Sequence, residues 1–477
     1  MNDPLRSGFD ALPYRHGAVR FSHPARIGAI ARLLGLPAAL PERSRVLEFG
    51  CAEGMNLLPL AERFPHAQFV GVDFSTAHIA CADEARTACG LGNARFECAD
   101  LRAFEPEPAS FDYVIAHGVY SWVPDEVKDR LLTLCARSLA PGGVAYVSYS
   151  TLPGWSVLAG LRAFLLTELN RADDPAAQID HVGKVLAALE QSLADQSGGY
   201  AASMREAVAE LQQKPPSLLL HDDLEIVNAP CTFTHFTSHA GRHGLHYLGE
   251  AHYASMPFEH VLPAKRATLD GLGLDFMREQ QFMDVMFQRW LRNSLLTLAP
   301  PPTRTLDPAA IDECAAGLRA QLASTQVNLQ PGVPMQLRGP HETTLVFTAS
   351  AEKALLAALA EAAPARLPFP DAVQRANQFL AQVHLPAAED LTALREMIAR
   401  LFTLDALDLV LTGDGTWLQT AEPPAPSALM RYQASREWSV ASHWHEPVAL
   451  TGDGARSLCD PSFPLNPDAL RQAGLVA

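Results

Sequence analysis

The residues best suited to chemistry begin at Glu48-Phe49-Gly50-Cys51-Ala52-Glu53-Gly54, a glycine turn that joins the apolar run ending at Phe49 to a helical segment, Met55 to Arg63. Glycines at 50 and 54 let the backbone turn tightly and let a ligand lie against it without a Cβ in the way. The helix that follows offers unpaired N–H groups and positive potential, which suits a ligand carboxylate. Asp73 ends a second apolar run, Gln68 to Asp73, where a carboxylate can accept hydrogen bonds from both hydroxyls of a ribose. Asp100 follows a third run, in Cys98-Ala99-Asp100-Leu101, and is placed to meet an adenine edge. Each aspartate by itself reads more often as a helix cap or turn residue. Together, at the ends of successive strands, they predict a nucleoside-cofactor site. The two glycines stand four apart with Glu48 two before the first, unlike GxGxxG, so a nicotinamide dinucleotide is disfavoured.

Such groups need a scaffold that delivers strand ends to one crevice. The apolar runs Val46 to Gly50, Gln68 to Asp73, Ala94 to Cys98, Phe111 to Ala116 and Val144 to Tyr149 alternate with the helical segments Met55 to Arg63, Thr76 to Cys89 and Glu126 to Leu139. Right-handed crossovers between them give a doubly wound α/β fold with a parallel sheet covered on both faces. An amphipathic helix, Arg26 to Leu36, precedes the first strand. Three helical segments from Leu158 to Gln212 read as an insert, and Leu245 to Glu250 with Trp290 to Leu298 complete the far edge of the sheet. Pro300-Pro301-Pro302 marks a linker. The expected organisation is therefore a cofactor-binding core at 1–155, a helical insert and sheet completion at 156–300, and a smaller α+β, winged-helix-like domain at 301–477.

Composition narrows the function classes. The 477 residues carry a formal net charge of −16, which argues against a broad nucleic-acid surface. No uninterrupted apolar stretch is long enough to span a membrane, and Met1 to Arg20 lacks the apolar run of a signal peptide. A cytoplasmic location is the expectation. The eight cysteines (51, 81, 89, 98, 135, 231, 314 and 459) form no CxxC pair and read as reduced packing residues.

The sequence resembles class I S-adenosylmethionine-dependent methyltransferases, in particular bacterial methyltransferases that carry a methyltransferase regulatory domain, a group including protein-lysine methyltransferases of outer-membrane proteins. The resemblance rests on the glycine turn and on His117-Gly118-Val119-Tyr120-Ser121-Trp122-Val123-Pro124, Leu139 to Tyr146 and Tyr149 to Trp155, with Phe21-Ser22-His23-Pro24 upstream. It implies S-adenosyl-L-methionine as cofactor, contacted by Glu48, Gly50, Cys51, Gly54, Asp73, Phe74, Asp100 and Leu101. It further implies His117, Gly118 and Val119 beside the sulfonium, with His117, Tyr120 and Trp122 as the catalytic set facing the acceptor. Met55 and Ser150 depart from the usual small residue and asparagine.

The leading expectation is methylation of a protein lysine, with Tyr120, Trp122, Tyr149 and Trp155 lining an aromatic acceptor pocket. Packing roles for Trp122 and Trp155 stand beside it. A small-molecule methyltransferase and a non-catalytic cofactor-binding regulator are the alternatives, and the Ala/Leu-rich insert offers a face for a homodimer. Cys231, His235, His239 and His243 recur every four residues, but Pro230, Gly241 and Gly244 argue against the continuous helix a metal site there needs, so no metal is expected.

Overall fold

The computed structural model describes residues 17–448, apart from 171–173, 257–268, 325, 341–342, 414, 419–425, 437–438 and 443–444. The expected ends of the chain, with Cys459, lie outside the described residues.

Helix α1 (Pro24–Leu33) leads into β1 (Arg45–Phe49), α2 (Leu57–Arg63), β2 (Gln68–Asp73), α3 (Thr76–Ala88), β3 (Ala94–Cys98), β4 (Phe111–Ala116), α4 (Asp125–Ser138) and β5 (Leu139–Ser150). These strands pair in parallel in the order β3-β2-β1-β4-β5. Val46, Leu47 and Phe49 are buried on both faces of β1, which is why the central strand reads as a continuous apolar run rather than an alternation. Asp125 and Glu126 occupy the first turn of α4, where the helix dipole favours acid.

After β5 come α5 (Ser156–Glu168), α6 (Pro175–Leu193) and α7 (Gly199–Gln213), the expected helical insert, closed around its own apolar cluster of Leu161, Leu165, Val182, Leu186, Val208 and Leu211. The chain returns through α8 (Phe233–Arg242), β6 (His246–Glu250), α9 (Phe276–Met286) and β7 (Leu291–Thr297). Here the parallel expectation changes: β7 enters antiparallel between β5 and β6. β6 therefore runs parallel to β1–β5, and β7, inserted between β5 and β6, is the strand of this sheet that runs against the rest.

The C-terminal part holds two three-stranded sheets. One joins β8 (Cys314–Leu318) to β12 (Leu367–Pro368) and β13 (Leu407–Leu411), the other is made of β9 (Gln321–Leu322), β10 (Met335–Arg338) and β11 (Thr344–Phe347), and helices lie at Ser350–Ala362, Phe369–Gln382 and Leu391–Thr403. It is not held by a bare tether. The Asp307 N–H donates to the Leu33 carbonyl at 2.7 Å, and one apolar cluster runs from Ile27 and Leu34 to Leu355, Ile398 and Leu411. Asp408 on β13, with no solvent exposure, is contacted by Arg26 and pairs with Arg20 at 3.4 Å and Arg366 at 2.8 Å. Burial holds the Arg366 guanidinium down to about 9. Buried charge survives only when paired this way.

Candidate functional site

At the C-terminal ends of β1, β2 and β4 opens a cavity of about 430 Å³. This is the crevice where open α/β sheets take ligands, because the strand order reverses there and adjacent loops splay apart. Gly50, Cys51, Ala52, Asp73, Phe74, Asp100 and Leu101 line it, as do His117, Gly118, Val119 and Trp122.

The floor is built by the turn after β1. Ala52 sits in the left-handed region at φ 44, a strained conformation for a residue with a Cβ, and its N–H donates to the Asp73 carboxylate at 3.0 Å. The other Asp73 oxygen accepts from Ser75 N–H at 2.9 Å. Asp73 thus locks two loops together while still lining the cavity. Glu48 is 3% exposed; Asn56 Nδ2 donates to its Oε1 at 2.8 Å, and its Oε2 has no partner among the described residues. Burial, partly offset by Asn56, pushes this carboxyl up to about 8. A buried acceptor without a donor is costly unless a ligand supplies one. On the far wall, Gly118 has φ +67 and open space where a Cβ would stand, so the backbone presents an uncovered surface to the cavity. Its N–H is anchored to Ser148 Oγ at 2.8 Å.

His117 is oriented from behind. Its Nδ1 lies 2.9 Å from the Tyr146 hydroxyl, which donates its one proton to Asn293 Oδ1 at 2.8 Å. The hydroxyl therefore accepts from His117, which places the neutral imidazole's proton on Nδ1. Asp100 is engaged by Arg102, whose Nη2 donates at 2.6 Å and holds the carboxyl below its ordinary range.

Several expected positions differ. Gly54 lies outside the lining: a Cβ there would stand 2.7 Å from Phe96 Cζ, so close packing beneath the turn is what excludes a side chain. Tyr120 and Tyr149 are also outside it. Tyr149 stacks on Phe236 at 3.9 Å, Tyr120 meets the same ring edge-on at 5.0 Å, and both are fully buried. Trp155 is buried against Trp122 in a T-shaped contact at 6.3 Å. The aromatic acceptor cage therefore reduces to Trp122 at the cavity wall, the other three rings serving as packing behind it.

The sequence reading also missed part of the wall. His221, Asp222 and Glu225 face the cavity from the segment after α7, where a π turn (Leu219–Asp223) brings them round. Such turns often mark functional positions. Trp122 Nε1 donates to the Asp222 carbonyl at 3.3 Å, and Asp223 is fixed by Lys214 at 2.8 Å. Met55 and Asn56 line the opposite side. Asn56 Oδ1 accepts from Val19 N–H at 2.9 Å and lies 2.8 Å from His445 Nε2, so both ends of the described chain reach the cofactor-side loop. Nothing local in the sequence marks these residues, because the approach is made entirely in three dimensions.

Residues 46–143 match the family model of a methyltransferase domain. The chain carries a methyltransferase domain. Residues 215–297 match a second model, a predicted methyltransferase regulatory domain. An uncharacterised protein of Rickettsia prowazekii is 33% identical over 288 residues, 60% of this chain and 52% of the relative, so the chain spans about half that relative's length. The trans-aconitate 2-methyltransferase of Variovorax paradoxus is 40% identical over 105 residues, 22% of this chain and 38% of its own. Among solved structures, PKMT2 from Rickettsia typhi superposes with a TM-score of 0.79 at 24% identity, covering 94% of this chain and 88% of its own. The same protein in complex with AdoHcy gives 0.80, covering 97% and 90%. The shared fold is thus that of a class I methyltransferase with its regulatory and C-terminal parts. In this frame His221, Asp222 and Glu225 belong to the regulatory domain, which walls the methyltransferase domain's own cavity.

Proposed function

We propose that the chain is an S-adenosylmethionine-dependent methyltransferase acting on a cationic side-chain amine of a protein, lysine above all. The observation that carries the reading is one cavity with two differently built sides. Its strand-end side has the buried acceptors Glu48 and Asp73 and the open backbone of Gly118, and its regulatory-domain side presents Asp222 and Glu225 beside Trp122. When bound, the cofactor supplies a methyl group on a sulfonium already activated for in-line displacement.

The chain's own work is then positioning and desolvation. Asp73 accepts from the ribose hydroxyls, Glu48 Oε2 from an ammonium, and the backbone around Gly118 and Val119 holds the reacting end. Asp222 and Glu225 attract the incoming ammonium. A lysine arrives with a pKa near about 10.4 and must shed its proton before it can attack, and the apolar flank of Trp122, Val123 and Val127 favours the neutral amine. The acidic wall disfavours anionic acceptors of the aconitate type.

Two results are expected. Asp222→Asn with Glu225→Gln lowers kcat/KM for a lysine-bearing polypeptide by about tenfold per carboxylate, equivalent to about 1.4 kcal/mol each, while cofactor affinity stays at the wild-type value. Transfer of radiolabelled methyl, followed by mass spectrometry of the acceptor, measures this; unchanged kinetics in the double variant would remove the cationic-acceptor reading. The second concerns pH. Because Glu48 titrates near about 8 in the free protein, binding an ammonium there expels a proton at lower pH, so cofactor affinity rises from about pH 6 towards about pH 8, by at most about tenfold per unit. Glu48→Gln flattens this profile. A wild-type profile as flat as the variant's argues that Glu48 does not meet the ammonium.

A further inference from the structure

Away from the cavity, a second cluster joins the methyltransferase domain to the regulatory domain. The helix does not extend over the whole Cys231–His243 series, but α8 runs unbroken from Phe233 to Arg242 with Gly241 inside it, His243 caps its C-terminus, and Gly244 follows at φ +73. Pro230 and Cys231 precede the helix, and Cys231 pairs instead with the end of β5 through its backbone. His239 and His243 therefore stand one turn apart on one face, with ring centroids 5.4 Å apart. Across from them, on α4, is Asp129.

His239 Nε2 lies 3.2 Å and His243 Nε2 3.0 Å from the same Asp129 oxygen, and the three potential donor atoms all fall within 4.8 Å of one another. The far nitrogen of each ring is held by a hydroxyl, His239 Nδ1 by Tyr120 at 2.8 Å and His243 Nδ1 by Thr133 at 3.1 Å. Outer hydrogen bonds of this kind fix the orientation of ligating imidazoles at metal sites. An ion bound about 2.0–2.2 Å from nitrogen and carboxylate donors separates them by a little over about 3 Å, so tenths of an ångström suffice to admit one. Two neutral imidazoles and one carboxylate suit a borderline divalent ion such as Zn²⁺. Asp129, 61% exposed, leaves a coordination position open to water.

We propose that Asp129, His239 and His243 form a divalent transition-metal site that braces α4 of the methyltransferase domain against α8 of the regulatory domain. It extends beyond the proposed methyl transfer and does not depend on it. The ion ties the two helices directly behind Tyr120, two residues before Trp122 of the cavity wall, so it stiffens the seam between the domains from the side opposite the cofactor.

The test uses the full chain, free of any histidine tag, stripped with chelator. Titration with Zn²⁺ alone by calorimetry is expected to show one equivalent bound, and Co²⁺ is expected to give visible absorption bands of a low-symmetry four-coordinate site. Asp129→Asn and His243→Gln, both at solvent-accessible positions, are each expected to weaken binding by about a hundredfold with the circular dichroism spectrum unchanged. Tyr120→Phe removes only the hydroxyl that orients His239 and is expected to weaken it by about tenfold. Zn²⁺ raises the Tm of the wild type and not of Asp129→Asn. Absence of stoichiometric binding, or binding that survives Asp129→Asn and His243→Gln together, overturns the site and leaves two histidines hydrogen-bonded to an aspartate.

Discussion

Asp73→Ala is expected to weaken S-adenosylmethionine binding by about a hundredfold or more while the chain remains folded. The carboxylate accepts from Ala52 N–H at 3.0 Å and Ser75 N–H at 2.9 Å, with His78 Nδ1 3.4 Å from Oδ1, and Oδ2 keeps a lone pair towards the cavity. Two hydrogen bonds from ribose hydroxyls to an ionised acceptor are worth about 1.5–3 kcal/mol each, so their loss amounts to about two to four decades in affinity. The substitution also frees Ala52, whose left-handed φ of 44 is held by that same carboxylate, and a relaxed turn shifts Cys51 and Gly50 away from the cavity floor. Asp73→Asn separates the contributions. It keeps one oxygen acceptor, loses the charge and sets an amide NH2 against one of the two backbone donors, so an intermediate loss of about tenfold is expected, with one of the two turn hydrogen bonds kept. Calorimetric titration of the three proteins measures both effects. Wild-type affinity in a folded Asp73→Ala protein would remove the cofactor site from this crevice.

How much of this was legible in the residues depends on whether the signal was local. The central strands β1, β2 and β4 were readable because they are buried along nearly their whole length, whereas the edge strand β3 is largely exposed past Ala94 and was readable through its place in the strand–helix alternation. The glycine turn and Asp73 were readable because the ligand is met by backbone at fixed positions after a strand. The cavity's other wall was not: His221, Asp222 and Glu225 reach it only because the helical insert folds back over the sheet, and no periodicity encodes that approach. Tyr120 was misplaced for a related reason. Sequence proximity to His117 suggested the cavity, but the short turn at Tyr120–Trp122 points successive side chains in different directions, sending Trp122 to the cavity and Tyr120 to His239. Pro230 and Gly244 do lie outside the helix, as the sequence suggests, whereas Gly241 is accommodated inside it at a cost of about 1 kcal/mol, which tertiary packing of Phe233 and Phe236 outweighs.

Arg292→Met is expected to cost about 3–5 kcal/mol of stability, which in urea denaturation appears as a lowered midpoint with an unchanged slope. The guanidinium on β7 has no solvent exposure and donates to Glu250 Oε1 at 2.7 Å, to Asp284 Oδ2 at 2.9 Å and to the Gln280 carbonyl at 2.9 Å, with its Cζ 4.1 Å from the centroid of the Phe233 ring. Removing it strands two buried carboxylates, Glu250 and Asp284, of which Asp284 keeps an ion pair with Arg289 at 3.1 Å. The loss has a definite pH dependence. Burial works against Glu250 ionisation, but the Arg292 and Arg289 charges outweigh it and hold this carboxyl below its ordinary value. Its contribution is therefore present above the unfolded pKa and lost as pH falls through the folded one. In the variant the stranded carboxylates escape by taking up protons, so the deficit is larger at about pH 8 than at about pH 5. Replacing Glu250 and Asp284 with leucine in the same protein should recover most of the loss, because the penalty lies in uncompensated charge rather than in the absence of an ion pair. The site feels the change through the next residue: Asn293 N–H donates to Glu250 Oε2 at 2.9 Å, and its Oδ1 receives the Tyr146 hydroxyl that orients His117. A variant whose stability falls equally at both pH values would place the cost in lost packing over Phe233 instead of in the stranded carboxylates.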